Sequence, residues 1–432
     1  MSSAEGIRKL DRTMARLDAL TDWERRPRGR MRVSLAPMQD LAARLGEPQT
    51  AFRAIHVAGT KGKGSVSALI EAGLVRAGIK AGRYGSPHVE RVTERVSVGG
   101  CDVEDATLAR ALDLALDACE QARGAKTAGA EATWFDIMTA AAFVIFREAG
   151  LDWGVVEVGL GGRLDSTNVV NGEIAVITNI GLEHTEILGA TRAAIAGEKV
   201  GVLKPGAVLL TSLGPNDEAG RVLSVRAGEL RSSVVHVKIG LESTIEETNV
   251  TLAGVVLDEL GRRRTVRDAA GALLGSGLLD AKTRAAARLA GRMERIDAEG
   301  LPVVLDGAHV PFNLAAVLRD LALEQDLAGP CVAVVALAAD KDAAGFLMEL
   351  KKRASGVVFT ELPSATRRRA PDELRDIAAG LGLKSEVERD PKAALGRGLK
   401  LARDAGAWLL VTGSLYLIGA LRADVKGKSS RG

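Results

Sequence analysis

The chain has few cysteines, few histidines, no long apolar run and almost no net charge, and most of these shortages remove a class of protein. Three cysteines in 432 residues, Cys101, Cys119 and Cys331, show neither metal-ligand spacing nor a disulfide framework. That points to a reducing compartment, the cytoplasm. No apolar stretch approaches the ~20 residues that cross a bilayer, so no membrane partner is expected. The opening MSSAEGIRKLDRTMARLDAL alternates charge with leucine like an amphipathic helix and lacks a signal-peptide apolar region. Lys and Arg number 58 against 55 Asp and Glu, a net +3. This argues against a general nucleic-acid binder while leaving room for a local basic site. The five histidines are few enough to account for one by one.

What is present is a globular composition, 47% hydrophobic, in a chain too long for one ordinary core. Short β-branched runs alternate with helical patterns, the mark of parallel sheets covered by helices. In the first part these runs are AIHV, WGVVEVG, IAVITNI and GAVLLTS; in the second, LPVVLDGAH, CVAVVALA, GVVFTEL and AWLLVTGS. The expected fold class is α/β, with domains 1–291 and 292–432 and a small β-rich excursion at about 231–277. EQARGAKTAGAEAT (120–133) reads as a flexible loop and VKGKSSRG (425–432) as a disordered tail.

The densest chemical signal is IHVAGTKGKGSVSALI (55–70). A strand and a helix flank Gly59-Thr60-Lys61-Gly62-Lys63-Gly64-Ser65. Such a turn presents backbone N–H groups at a helix N-terminus, which favours phosphate. Lys63 would reach terminal phosphates and Ser65 a magnesium ion. The order differs from the usual Gly-x-x-x-x-Gly-Lys-Ser/Thr pattern, and a flexible basic turn is the alternative.

Glu157, in VVEVGLGGRLDSTN, is a carboxylate in an apolar strand. It needs either a metal or a buried partner such as Arg163. Gly159, Gly161 and Gly162 permit a close backbone approach. His184 follows a strand in VITNIGLEHTEILG, where catalytic groups of open α/β sheets gather; the alternative is an ordinary hydrogen-bonding loop residue. Lys199, beside Glu198, reads by pattern as part of a solvated face. Asp306 and His309 end one strand of the second domain, and Gly413 and Ser414 end another. These turns together suggest a second site, on the side of the phosphate loop.

Taken in order, HVAGTKGKGSVSA, YGSPHVERVTERVSVGG, TWFDIMTAAAF, VEVGLGGRLDSTNVV, ITNIGLEHTEILG, IAGEKVGVLKPG, GRMERI, LDGAHVP, DKD and VTGSLYLIGALR resemble the folylpolyglutamate synthase/dihydrofolate synthase family of the Mur-ligase superfamily. The resemblance spans about residues 30–422. It implies a P-loop-containing parallel-sheet ATPase domain followed by a smaller Rossmann-like α/β domain that carries glutamate ligation. It implies an ATP-dependent ligase joining L-glutamate to a folate or pteroate acceptor through an acyl phosphate. ATP would be the co-substrate and Mg2+ the metal, with a second ion held by a carbamylated Lys199 and K+ as a further candidate. A monomer is expected.

By the same resemblance, Gly59 to Ser65, and Thr60, Lys61, Gly62 and Lys63 above all, take the ATP phosphates. Asn249 meets the adenine, Arg292 phosphate and Asp306 the ribose. Ser86, Glu157 and His184, with Ser65, hold metal. Ser86, Pro87 and His88, Thr133 to Asp136 (with Trp134 and Phe135 between) and Leu164, Asp165 and Ser166 line the folate pocket. His309 and Ser414 serve glutamate, and Lys63, Lys199 and His309 are the catalytic candidates. The sequence departs from the family pattern with Glu183 for Asp, Asp136 for Glu, Val310 for Asn and Lys61 for an Asn frequent in bacterial members. Val310 and Asp136 motivate an alternative, a Mur-type ligase acting on another acid. A nucleotide-binding relative without ligase activity is a further alternative.

Overall fold

The computed structural model describes residues 4–23, 34–264, 266–363 and 368–429. The chain separates into two units, 1–287 and 288–432. In the first, the strands are β1 (Arg53–Ala58), β2 (Ala81–Tyr84), β3 (Val96–Val98), β4 (Cys101–Asp102), β5 (Trp153–Glu157), β6 (Gly172–Ile177), β7 (Val208–Thr211) and β8 (Ser233–His236). The helices are α1 (Ala4–Asp18), α2 (Ala36–Arg44), α3 (Lys63–Arg76), α4 (Asp105–Ala125), α5 (Trp134–Glu148), α6 (Thr185–Leu188), α7 (Arg192–Lys199), α8 (Glu218–Glu229), α9 (Ile245–Arg264) and α10 (Ala281–Ala286).

The sheet runs β4-β3-β2-β5-β1-β6-β7-β8. It is parallel from β2 to β8, with β3 and β4 antiparallel at the edge. β5 is buried along its whole length, which is why it reads as an unbroken apolar run and not as alternation. α5, Trp134 to Glu148, buries Phe143 and Phe146 against Phe52 and Tyr84. A second cluster around Ile177, Ile195, Leu209 and Leu223 packs α7 and α8.

The second unit holds β9 (Glu294–Ala298), β10 (Leu301–Asp306), β11 (Cys331–Val335), β12 (Ala354–Phe359), β13 (Ser385–Val387) and β14 (Trp408–Thr412). Its helices are α11 (Pro311–Leu321), α12 (Ala343–Lys351), α13 (Pro371–Gly380), α14 (Pro391–Asp404) and α15 (Leu415–Ser429). Its sheet order is β13-β12-β11-β14-β10-β9, parallel except for β9.

Three local expectations are corrected. The 231–277 excursion is not β-rich: among its described residues β8 is the one strand, beside an isolated Arg267–Leu273 bridge, and α9 extends for 20 residues. Leu252, Ala253, Val256, Leu257 and Leu260 are buried at helical spacing, so packing overrides the β-branched composition. Most of 120–133 is regular structure, because α4 runs to Ala125 and a 3-10 turn spans Ala128–Glu131. Asp40 ties it down, accepting the Gly129 N–H at 2.7 Å and the Thr127 hydroxyl at 2.5 Å. The stretch 425–429 continues α15, while 430–432 lie outside the described residues.

Candidate active site

Four parallel strands, in the order β2-β5-β1-β6, end at the same edge of the first sheet. Val57 pairs with Glu157, Ala58 with Ile177 and Tyr84 with Val156. That register puts the 59–65 loop, Glu157, the 85–88 turn and the 178–184 segment side by side, at the crevice where the strand order reverses around β1.

Gly59 (φ 144°) and Gly62 (φ 81°) adopt backbone conformations that side chains resist. A Cβ on Gly59 would stand 1.9 Å from Thr178 Oγ1, and one on Gly62 2.8 Å from Asn249 Oδ1. Asn249 of α9 therefore lies against the loop. α3 begins at Lys63 with Gly62 as its cap residue and no capping side chain, so its first N–H groups remain for an anion.

The other side of the loop is closed off. Thr60 N–H donates to Asn179 O at 2.9 Å and Lys61 N–H to Asn179 Oδ1 at 3.0 Å. Lys61 O accepts from Thr178 Oγ1 at 2.6 Å and Asn179 Nδ2 at 3.0 Å. Gly181 N–H donates to Thr60 Oγ1 at 2.9 Å. Sequence reasoning singled out His184 in this segment and passed over Thr178 and Asn179, although two polar residues directly after an apolar strand were the available signal. Lys61 Nζ pairs with Glu183 at 3.0 Å, and His184 Nε2 is 3.9 Å from the same carboxylate oxygen. Lys61 and Glu183, two departures from the family pattern, thus meet each other.

Glu157 is 5% exposed, and its Oε2 accepts the Ser86 N–H at 3.3 Å. The buried-pair alternative with Arg163 does not hold, because Arg163 bonds Glu198 at 2.9 Å. Lys199 is buried where the residue pattern suggested a solvated face. Burial, and after it the charge of Lys63, pushes its amine down to about 7, with Glu183 and Asp165 opposing. Among the described residues no three His, Cys, Asp or Glu side chains form a metal cage. A carboxylate at a phosphate loop can supply the protein share of a magnesium–nucleotide site, in which phosphates and water complete the shell. The oxygen donors of Glu157, Ser65 and Ser86 are of the type such a site takes, and His184 is the further expected ligand.

The two segments expected to line the folate pocket meet directly. Ser166 Oγ donates to Asp136 Oδ1 at 2.6 Å, while Asp136 and Thr133 form the capping box of α5. Gly162 approaches the Glu198 and Lys199 carbonyls, each 2.9 Å from where its Cβ would stand; the close contact there is with protein. Leu164 and Phe135 are half-buried, Ser86 and His88 likewise, and Pro87 is exposed. Trp134 corrects the pocket assignment. It is 1% exposed, donates to Asp18 Oδ1 at 3.0 Å and lies under the Arg95 guanidinium at 4.6 Å, so its ring offers no surface to a ligand. Arg95 in turn donates to His88 Nδ1 at 2.9 Å. Asp165 is also buried, its carboxyl pushed up by burial and partly restored by the Leu160 and Thr167 hydrogen bonds.

In the second unit, β10 and β14 end together, Asp306 opposite Thr412. Asp306 accepts the Met293 and Ala308 N–H groups, each at 2.8 Å. Arg292 is exposed. His309 Nδ1 is 2.8 Å from Gly307 O; a carbonyl only accepts, so Nδ1 carries a proton. Ser414 Oγ accepts the Tyr416 N–H at 3.2 Å at the start of α15. Val310 precedes α11 with no side-chain cap.

A glycine-turned phosphate loop on a parallel sheet, with a buried carboxylate and a buried lysine beside it, defines an ATP-dependent ligase of the Mur type. Residues 291–415 match the family model described as Mur ligase, glutamate ligase domain. The chain is 32% identical over 437 residues to the dihydrofolate synthase/folylpolyglutamate synthase of Bacillus subtilis, covering 92% of this chain and 97% of that one. It superposes on Mycobacterium tuberculosis folylpolyglutamate synthase complexed with ADP at TM-score 0.83, with 28% identity, covering 97% and 99% of the two chains. It also superposes on the Yersinia pestis bifunctional synthase complexed with AMPPNP and Mn at TM-score 0.77, with 26% identity, covering 96% and 98%. The chain belongs to the folylpolyglutamate synthase/dihydrofolate synthase family. No helix among the described residues is long and apolar enough to cross a membrane.

Proposed function

We propose that the protein joins L-glutamate to a folate-type acceptor, dihydropteroate or a folyl glutamate, at the expense of ATP. The observation that carries this reading is the loop of residues 59–65 at the sheet crevice, with its phosphate-facing side left at Gly62 to Ser65 and the Lys199 amine brought down to about 7 by burial and Lys63. The N–H groups at the start of α3 and the Lys63 ammonium cradle the nucleotide phosphates. They neutralise charge as the γ-phosphoryl passes to the acceptor carboxylate and ADP leaves. The glutamate amine then attacks the acyl carbon, phosphate departs and the nitrogen loses its proton.

Glu157, with Ser86, Ser65 and His184, is the set that would hold Mg2+, which when bound screens the repulsion between carboxylate and phosphates. A lysine amine must be neutral to add CO2, and the burial that lowers Lys199 supplies that condition; its carbamate is the proposed holder of a second ion. Thr133, Phe135, Asp136, Leu164 and Ser166, with the 86–88 turn, border the acceptor. His309 Nε2 and Ser414 are proposed for the glutamate side, Asn249, Arg292 and Asp306 for the nucleotide.

Phosphate release from Mg-ATP tests the reading, measured with dihydropteroate plus L-glutamate and then with a reduced folate monoglutamate plus L-glutamate. Turnover with at least one acceptor is expected. Turnover with neither removes the folate assignment, and failure to bind Mg-ATP removes the ligase reading.

A further inference from the structure

β1 ends in the nucleotide loop, yet the middle of the same strand carries a histidine that the chemistry above does not use. His56 is fully buried. Its Nε2 lies 2.9 Å from Thr167 Oγ1, and Thr167 Oγ1 lies 2.5 Å from Asp165 Oδ1. Asp165 also accepts the Thr167 N–H at 3.1 Å and, through Oδ2, the Leu160 N–H at 2.8 Å.

The proton count orders this chain. A threonine hydroxyl has one proton. Both oxygens of Asp165 already accept backbone N–H groups and Thr167 Oγ1 lies against Oδ1, so the hydroxyl proton points to the carboxylate. The Thr167 oxygen then accepts, and His56 must donate from Nε2–H. His56 Nδ1 is left as a buried acceptor without a partner. Burial, and then Lys204, pushes the imidazole down to about 3, so the ring is neutral.

The relay holds a loop on which much depends. Residues 159–168 are held at their C-terminal end by the relay and by the adjacent Asn168, whose Nδ2 donates to Arg163 O at 2.9 Å and Gly201 O at 3.1 Å, while Asp165 Oδ2 ties back to the Leu160 N–H. Lys204 Nζ donates to Asn168 O at 2.8 Å and Asn168 Oδ1 at 2.9 Å. Ser166, flanked by the two relay residues Asp165 and Thr167, reaches Asp136. His56 stands on the strand that leads into Gly59.

We propose that His56 and Thr167 are positioning residues: an imidazole–hydroxyl–carboxylate relay that registers the acceptor-side loop, and with it Ser166 and Asp136, to the strand carrying the nucleotide loop. The inference rests on the acceptor-side reading of these segments given above. A buried histidine that merely fills space would move stability but would not separate the two substrates.

The test combines kinetics with selective 15N-histidine spectra of the full chain at neutral pH, the His56 signal being the one lost in His56→Gln. The Nε2–H tautomer is expected in the wild type. Thr167→Val should raise the acceptor KM about tenfold while the ATP KM stays within about twofold, and Thr167→Ser should restore the acceptor KM. His56→Gln retains a donor in place of Nε2–H and should resemble Thr167→Ser. If Thr167→Val does not fold, His56→Phe against His56→Gln reads the same split. An Nδ1–H tautomer, or a folded Thr167→Val whose two KM values move together or not at all, overturns the relay. A wild-type chain without folate-ligase turnover overturns the functional reading and this inference with it, whereas turnover without the KM split overturns this inference alone.

Discussion

The side-chain amide of Asn179 bonds both polar groups of the Lys61 main chain, accepting its N–H and donating to its carbonyl, each at 3.0 Å. This pairing fixes which face of the phosphate loop is spent internally. The donors left to a nucleotide are those from Gly62 onward, which also open α3.

Asn179→Ala should therefore weaken nucleotide binding without touching a nucleotide. Freeing the Lys61 N–H in a half-buried loop, while its carbonyl keeps the Thr178 hydroxyl, costs about 1–2 kcal/mol, which corresponds to an ATP KM raised about five- to thirtyfold. Steady-state kinetics with ATP varied, and then acceptor varied, is the check. An unchanged ATP KM would show that Thr178 and Gly181 hold the loop alone.

Lys63→Ala should leave the fold intact, since Lys63 is only half-buried at a helix start, while lowering kcat/KM by about 10²–10³, the usual loss for a charge-stabilising donor. Phosphate release alongside a circular dichroism melt separates the two effects. Near-normal rates would reduce the 59–65 segment to a basic turn.

Lys199 gives a pH signature with a definite sign. Its folded amine titrates at about 7 against 10.5 for the ordinary side chain. Between those values the unfolded chain binds more protons, so stability rises with pH there and the burial penalty is full below about 7. Lys199→Met removes the group. The Tm of Lys199→Met minus that of the wild type should be largest near pH 6 and shrink towards pH 10, by a few kcal/mol in stability terms. These melts are run free of CO2; a difference independent of pH would place the charge in water.

Carbamylation makes a separate prediction for the same residue. Lys199→Ala should lose most turnover and regain part of it with short carboxylic acids, which supply the missing anion. Absence of rescue at any concentration, with the variant folded, would argue for a lysine acting as a cation.

Val310 stands at the cap position of α11 without a side-chain hydrogen bond. Val310→Asn supplies an acceptor there, and a stabilisation of about 1 kcal/mol is expected, read as a rise in Tm. A lower Tm would mean that the apolar contacts of this buried residue outweigh a cap.

The runs AIHV, WGVVEVG and LPVVLDGAH were legible because strands buried on both faces need β-branched residues along their whole length. The 59–65 loop was legible because a tight phosphate turn needs glycine at particular positions. Asp136 and Ser166 were placed on the acceptor side from motifs alone, and the 2.6 Å bond joining them needed the fold, since 30 residues separate them. Trp134 shows the converse. Its neighbours in sequence suggested a pocket wall, whereas Asp18 and Arg95 draw it into the core.

The sequence by itself determined the alternation of strands and helices, the phosphate turn and the family, because these depend on residue type at short spacing. Only the tertiary structure decided that α9 is a helix against the phosphate loop, that Arg163 serves Glu198 and not Glu157, and that Lys199 is buried enough to lose its proton near neutrality. Those outcomes depend on which distant groups share a low-dielectric space, and residue order along the chain does not encode that distance.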